Sequence, residues 1–154
     1  MDNNFKGILK GKVVILGIGN IMRGDDAFGP ELIKRLNGKV KALCIDCGNA
    51  PENYTGKVTK EESDTILVAD AVHLNLAPGE YRILEKDKIA VSGLTTHDIS
   101  PKMFIDFLDT ETSADIYMLG VQPKEVSFGS GLSDEVKNAI DRITKAIKEV
   151  LKNA

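Results

Sequence analysis

The strongest constraint on the fold is an alternation of two kinds of segment. Short apolar runs occur at Lys12 to Ile18 (K-V-V-I-L-G-I), Val40 to Asp46, Thr65 to Ala69 (T-I-L-V-A) and Asp115 to Val121 (D-I-Y-M-L-G-V). An unbroken, β-branched run of this kind suits a strand covered on both faces. Between the runs the apolar residues change period. Phe28, Leu32, Ile33 and Leu36 recur at helical spacing, Pro30 must lie in the first turn, and Gly38 supplies a stop. Asn49 to Lys60 reads as loop with a short helix. Ser100 to Leu108 reads as a helix with Pro101 at its first position. The last helix spans Ser133 to Lys152, with Val136, Ile140, Ile143, Ile147, Val150 and Leu151 as its apolar stripe. Asp134 and Glu135 at its start and Lys148 and Lys152 near its end complement the helix dipole. Glu80 to Leu84 (E-Y-R-I-L), after the Pro78-Gly79 turn, alternates as a half-exposed or edge strand does. Strands alternating with helices predict an α/β domain with a largely parallel sheet. At 154 residues this is one domain, 1–154.

Composition removes several classes of function. A net charge of −3 gives no basic face for a nucleic-acid backbone. No stretch approaches the roughly 20 apolar residues of a membrane span, and Met1 to Lys12 lacks the apolar core of a signal peptide. A cytoplasmic protein is expected, with neither membrane nor nucleic acid as partner. The two cysteines, Cys44 and Cys47, form a lone C-x-x-C without the second pair that a zinc ribbon needs. Cys44 lies inside an apolar run, not at a helix N-terminus, so packing thiols are favoured over a redox pair.

In parallel sheets the ligand crevice lies beyond the carboxyl ends of the strands. Here those ends carry Gly19-Asn20 to Asp26, then Asp46, then Asp70, and finally Gly120-Val121-Gln122-Pro123. Gly17 and Gly19 begin like a dinucleotide fingerprint, but Met22 stands where its third glycine belongs. Asp25 and Asp26 would also repel a phosphate from the helix start. Either of the two is a good helix N-cap, and Asp70 has a similar reading as a turn residue. His97 sits in T-T-H-D; His73, the other histidine, has no evident partner. Taken together, the carboxylates of Asp26 and Asp70 and the imidazole of His97 suit a divalent first-row metal with open positions, nickel or zinc before magnesium. There is no H-E-x-x-H and no G-x-S-x-G.

These residues stand in a wider pattern. G-I-G-N-I-M-R-G-D-D-A-F-G-P at 17–30, I-D-C-G-N-A-P-E-N at 45–53, L-V-A-D-A at 67–71, L-A-P-G-E at 76–80, T-T-H-D at 95–98, L-G-V-Q-P at 119–123 and F-G-S-G-L-S at 128–133 occur in this order. The pattern resembles the hydrogenase-maturation endopeptidases over nearly the whole chain, and most of all the branch serving formate-hydrogenlyase-type hydrogenase 3. The resemblance implies a three-layer α/β/α fold with a five-stranded, mostly parallel sheet and one antiparallel strand, for which Tyr81 to Leu84 is the natural candidate. It implies that Asp26, Asp70 and His97 contact a metal, that the metal is nickel, and that nickel arrives with the substrate. That substrate is the precursor of a [NiFe]-hydrogenase large subunit, whose C-terminal extension is removed by an aspartic-type peptidase. Asp46, with Gly19 and Asn20 as backbone and amide donors, is the expected substrate-binding set. No catalytic residue beyond the metal set is singled out. A non-catalytic nickel-checking chaperone of the same fold is the alternative, and a dinucleotide oxidoreductase the more distant one. Cys47 departs from the expected pattern, where a small residue such as glycine would be less conspicuous.

Overall fold

The central strands are the two most apolar runs. The computed structural model describes residues 5–91 and 100–152. Strands β1 (Val13–Ile18) and β3 (Thr65–Ala71) are buried at every position. β2 (Leu43–Gly48) and β4 (Tyr81–Glu85) are only half-buried and form the two edges. With β5 (Asp115–Val121) they make a five-stranded sheet of order β2-β1-β3-β5-β4. All neighbours are parallel except β4, which runs antiparallel to β5 with Ile83 opposite Leu119. The five-stranded, mostly parallel sheet that the family resemblance implies is therefore present, with the antiparallel strand at Tyr81–Glu85.

Alternate side chains of the sheet feed two cores, as the twofold period of a strand requires. Ile15, Leu67 and Leu119 face one layer made by α1 (Phe5–Ile8), α2 (Phe28–Leu36) and α5 (Asp134–Val150). Val14, Leu16, Ile66, Val68 and Met118 face the other, which holds α3 (Thr55–Lys60), α4 (Pro101–Glu111) and a 3₁₀ turn, Lys86–Val91. On α5 the residues Val136, Ile140, Ile143 and Ile147 are completely buried. Each such side chain contributes about 1.5–3 kcal/mol of hydrophobic stabilisation. Ser100 and Ser133 cap α4 and α5 by accepting from Met103 N and Val136 N.

The strand boundaries shift by one or two residues from the sequence reading, and by three at the start of β2. β2 starts at Leu43, where its parallel register with Val14 begins. Val40, read as the strand start, instead makes an isolated antiparallel bridge with Lys152, supported by Lys41 N donating to Leu151 O. Its side chain is consumed by the α1/α2/α5 core, so periodicity alone could not separate it from the strand.

Helix α2 lies unusually close to the sheet. A Cβ placed on Gly17 would fall 2.4 Å from Gly29 O, and one on Gly29 would fall 2.3 Å from Ile18 O. These paired glycines bring the start of α2 directly over the ends of β1 and β3. The glycine pattern that partly imitates a nucleotide loop is here a packing device.

Candidate functional site

The strand order locates the site. From β1 the chain moves to β2 on one side, then crosses back to β3 on the other. The topological switch point, where α/β sheets open a crevice, thus lies between the carboxyl ends of β1 and β3. The loop after β1 crosses this point and ends in a 3₁₀ turn, Gly24–Ala27, that packs against β3. Asp70 is the penultimate residue of β3 and is fully buried. Asp26, in that turn, and Asp70, near the end of β3, accordingly lie at the same end of the sheet.

The two adjacent acids in the turn do different things. Asp25 is fully buried and its carboxylate is saturated. Oδ2 accepts from Lys124 N at 2.8 Å, Glu125 N at 3.2 Å and Ser133 Oγ at 2.8 Å. Oδ1 accepts from Ser133 N at 2.7 Å, and the Asp25 N–H donates to Glu125 O at 2.8 Å. Asp25 therefore clamps the β1–α2 loop to the β5–α5 loop and holds the residue that caps α5. Asp26 is 1% exposed, and its Oδ2 accepts from Asn20 N at 2.9 Å. Its Oδ1 is buried and takes no hydrogen bond from any described residue. Burying a carboxylate oxygen without a donor costs on the order of 1–3 kcal/mol or more. Neither acid caps α2, contrary to the sequence-based reading. The N-cap position is Ala27 and has no side-chain hydrogen bond, because the 3₁₀ turn runs straight into the helix and removes the usual capping geometry.

The remaining candidates fall as follows. His97 lies outside the described residues, and among the described residues no three His, Cys, Asp or Glu side chains gather as a metal-binding group. Gly19 has φ +154°, and a Cβ there would fall 1.9 Å from Asp26 O, so glycine is required for the turn to close. Its N–H donates to Gly48 O at 2.9 Å, and that of Asn20 is taken by Asp26. The backbone donors proposed for a substrate at Gly19 and Asn20 are thus engaged within the protein. The Asn20 side-chain oxygen also accepts from Met22 N at 2.8 Å. Asp46 is exposed, accepts from Gly48 N at 3.0 Å, and lines an open cavity of about 680 Å³ with Ile21, Pro30, Ile33 and Leu132.

Gln122 has a role that the sequence reading did not give it. It is 4% exposed, and its Oε1 accepts from Leu74 N at 2.7 Å and Leu76 N at 3.3 Å. Two donors on one atom identify the other as the amide nitrogen, which donates to Pro123 O and to His73 Nδ1 at 2.9 Å. Gln122 so fixes the loop that follows Asp70; only its place after a strand end pointed to it in the sequence.

Cys44 and Cys47 are both free thiols, and they belong to opposite faces of β2. Cys47 lies in the α3/α4 core, and Cys44 packs on the other. Burial pushes the Cys44 thiol up to about 11; burial, with the Asp46 carboxylate beside it, pushes Cys47 to about 12. Neither supplies a thiolate near neutral pH, which agrees with packing as their role.

Residues 29–150 match the family model described as hydrogenase maturation protease. The hydrogenase 3 maturation protease of Escherichia coli (strain K12) is 33% identical over 138 residues, covering 88% of each chain. Among solved structures, the HycI [NiFe] hydrogenase maturation protease of Thermococcus kodakarensis KOD1 superimposes with a TM-score of 0.87 at 32% identity, over 97% of this chain and 99% of that one. The solution structure of the endopeptidase HycI from Escherichia coli gives 0.81 at 32% identity, over 90% of both chains.

Proposed function

The chain belongs to the hydrogenase maturation protease family, and from that premise we propose that it recognises nickel in the precursor of a [NiFe]-hydrogenase large subunit and cleaves off the C-terminal extension. The observation that carries this reading is the Asp26 carboxylate. One oxygen is anchored by Asn20 N–H, while the other is buried without a donor among the described residues. It stands at the switch point beside the strand end that bears Asp70.

The chemistry follows from the donor set. A cation held in the precursor with open coordination positions would take the free Asp26 oxygen, Asp70 and the His97 imidazole, a mixed oxygen and nitrogen set suited to nickel. Docking the cation fixes the scissile bond at one place, which removes most of the entropic cost of bringing it to a water. Hydrolysis adds that water across the peptide bond: its oxygen joins the carbonyl carbon, one proton passes to a base, and the amine leaves protonated. The substrate's nickel polarises the carbonyl or acidifies the water. With Oδ2 held by Asn20 and Oδ1 given to the metal, Asp26 is suited to be a ligand, and the carboxylates of Asp26 and Asp70 are the aspartic-type element of the set. Among the described residues no helix is long and apolar enough to cross a membrane, and we place the reaction in the cytoplasm.

The test is to incubate the protein with nickel-loaded and nickel-free precursor and weigh the products by mass spectrometry. Loss of a C-terminal peptide from the loaded precursor alone is expected. Cleavage of both forms would refute nickel recognition, and binding without cleavage would assign the chain to the chaperone reading.

A further inference from the structure

Large apolar side chains that stand alone on a surface are ordinary, but several together on one rigid patch are not. Ile21, Met22 and Phe128 are 68%, 52% and 70% exposed. They come from two loops far apart in sequence that the fold joins into one piece. Gly129 N donates to Met22 O at 2.7 Å, and Asp25 N to Glu125 O at 2.8 Å. The Asp25 carboxylate collects three further donors from the β5–α5 loop and the Ser133 hydroxyl. The backbones touch closely enough that a Cβ on Gly24 would lie 2.4 Å from Glu125 O. These loop tips are therefore held as a pre-formed platform.

The platform is continuous with the site. Ile21 and Met22 follow Asn20, whose N–H anchors Asp26 and whose side chain accepts from Met22 N. Beside Ile21 the cavity of about 680 Å³ runs between Pro30 and Ile33 of α2 and Leu132, and reaches Asp46. Its lining sets these apolar residues beside the polar Glu31, Lys34, Asn37 and Asp46, an apolar centre with a polar rim as at surfaces that bind a polypeptide.

We propose that this platform and groove bind apolar side chains of the precursor polypeptide adjoining the scissile bond, so that the protein selects its substrate by chain sequence as well as by metal. The inference rests on the peptidase reading above: Asn20, Ile21 and Met22 are consecutive and Asn20 N–H holds Asp26, so the chain adjoining a bond brought to Asp26 meets this surface. Rigid coupling through Asp25 means that a chain seated on the platform is also in register with the Asp26 turn, and little ordering is needed on binding.

The experiment compares wild type with the triple variant Ile21→Ser/Met22→Ser/Phe128→Ser, using nickel-loaded precursor and reading both cleavage kinetics and equilibrium binding. Melting curves establish that the variant is folded, and Phe128→Ser alone serves if the triple variant is not. Removing three large apolar contacts should raise KM and Kd by at least ~10-fold with little change in kcat. Serine substitutions in the precursor next to the scissile bond should weaken binding to wild type but add little for the variant, as two ends of one contact do. Unchanged KM and Kd in the variant overturn the platform while leaving the peptidase reading intact. Binding that depends on the platform without any cleavage overturns the peptidase reading alone. If wild type neither binds nor cleaves, both fall. A wild-type dimer that the variant breaks, with KM unmoved, makes the surface a contact between copies and also overturns the proposal.

Discussion

Replacing Asp25 and Asp26 one at a time should separate a clamp from a site. Asp25→Ala removes the acceptor of three backbone N–H groups, those of Lys124, Glu125 and Ser133, and of the Ser133 hydroxyl. Each donor left dry costs about 1–3 kcal/mol. Lys124 and Glu125 are exposed and can turn to water, so the total should be about 3–5 kcal/mol. For a chain of this length that lowers Tm by roughly 6–20 °C. Asp26→Asn keeps a carbonyl oxygen for Asn20 N–H and removes a buried charge, so stability should change by no more than about 1 kcal/mol in either direction. Its effect should fall on processing, which is abolished. Thermal unfolding with parallel cleavage assays reads both. If Asp25→Ala loses less than 1 kcal/mol, the clamp is wrong. If Asp26→Asn unfolds as readily as Asp25→Ala, or processes normally, then Asp26 is a structural residue and the site has been misplaced.

Other residues give independent checks. Gly19→Ala must push a methyl group against Asp26 O; a loss of at least about 2 kcal/mol and a parallel loss of processing are expected, and a neutral result would contradict the turn geometry. Gln122→Ala frees Leu74 N and Leu76 N; their amide exchange should quicken, with a global cost of about 1–3 kcal/mol. Cys47 gives a pH dependence. Its thiol is raised to about 12 in the folded protein, so above about pH 8.5 the unfolded chain releases a proton that the folded chain retains. Stability should therefore be unaffected at neutral pH and fall with rising pH by about 1.4 kcal/mol per unit from this group. Cys47→Ala should flatten that alkaline limb, and an unchanged slope would show that the thiol is not buried in solution.

The layers of the fold were legible because burial writes itself into period. The uninterrupted runs at Lys12 to Ile18 and Thr65 to Ala69 became the two central strands, and the alternating Glu80 to Leu84 became an edge. Val40 misled because a residue buried beside a strand looks the same as one within it. The positions of Asp26 and Asp70 followed from the rule that crevices open at strand ends. What separates Asp25 from Asp26 was not legible, since adjacent identical residues have the same propensities. Only the approach of the 124–133 segment, about a hundred residues away, shows that one is saturated and the other not. Gln122 was hidden for a related reason: its partners at Leu74 and Leu76 are set by tertiary packing. The family pattern placed His97 with the two acids; it lies outside the described residues.

The most direct measurement is the coordination of nickel itself. X-ray absorption at the nickel edge should be recorded for the loaded precursor alone, and for the same precursor freeze-quenched with wild type and with Asp26→Asn. Wild type should add oxygen or nitrogen neighbours to the metal, and the variant should add fewer. An edge spectrum that wild type leaves unchanged, while still removing the C-terminal peptide, would contradict recognition through the metal.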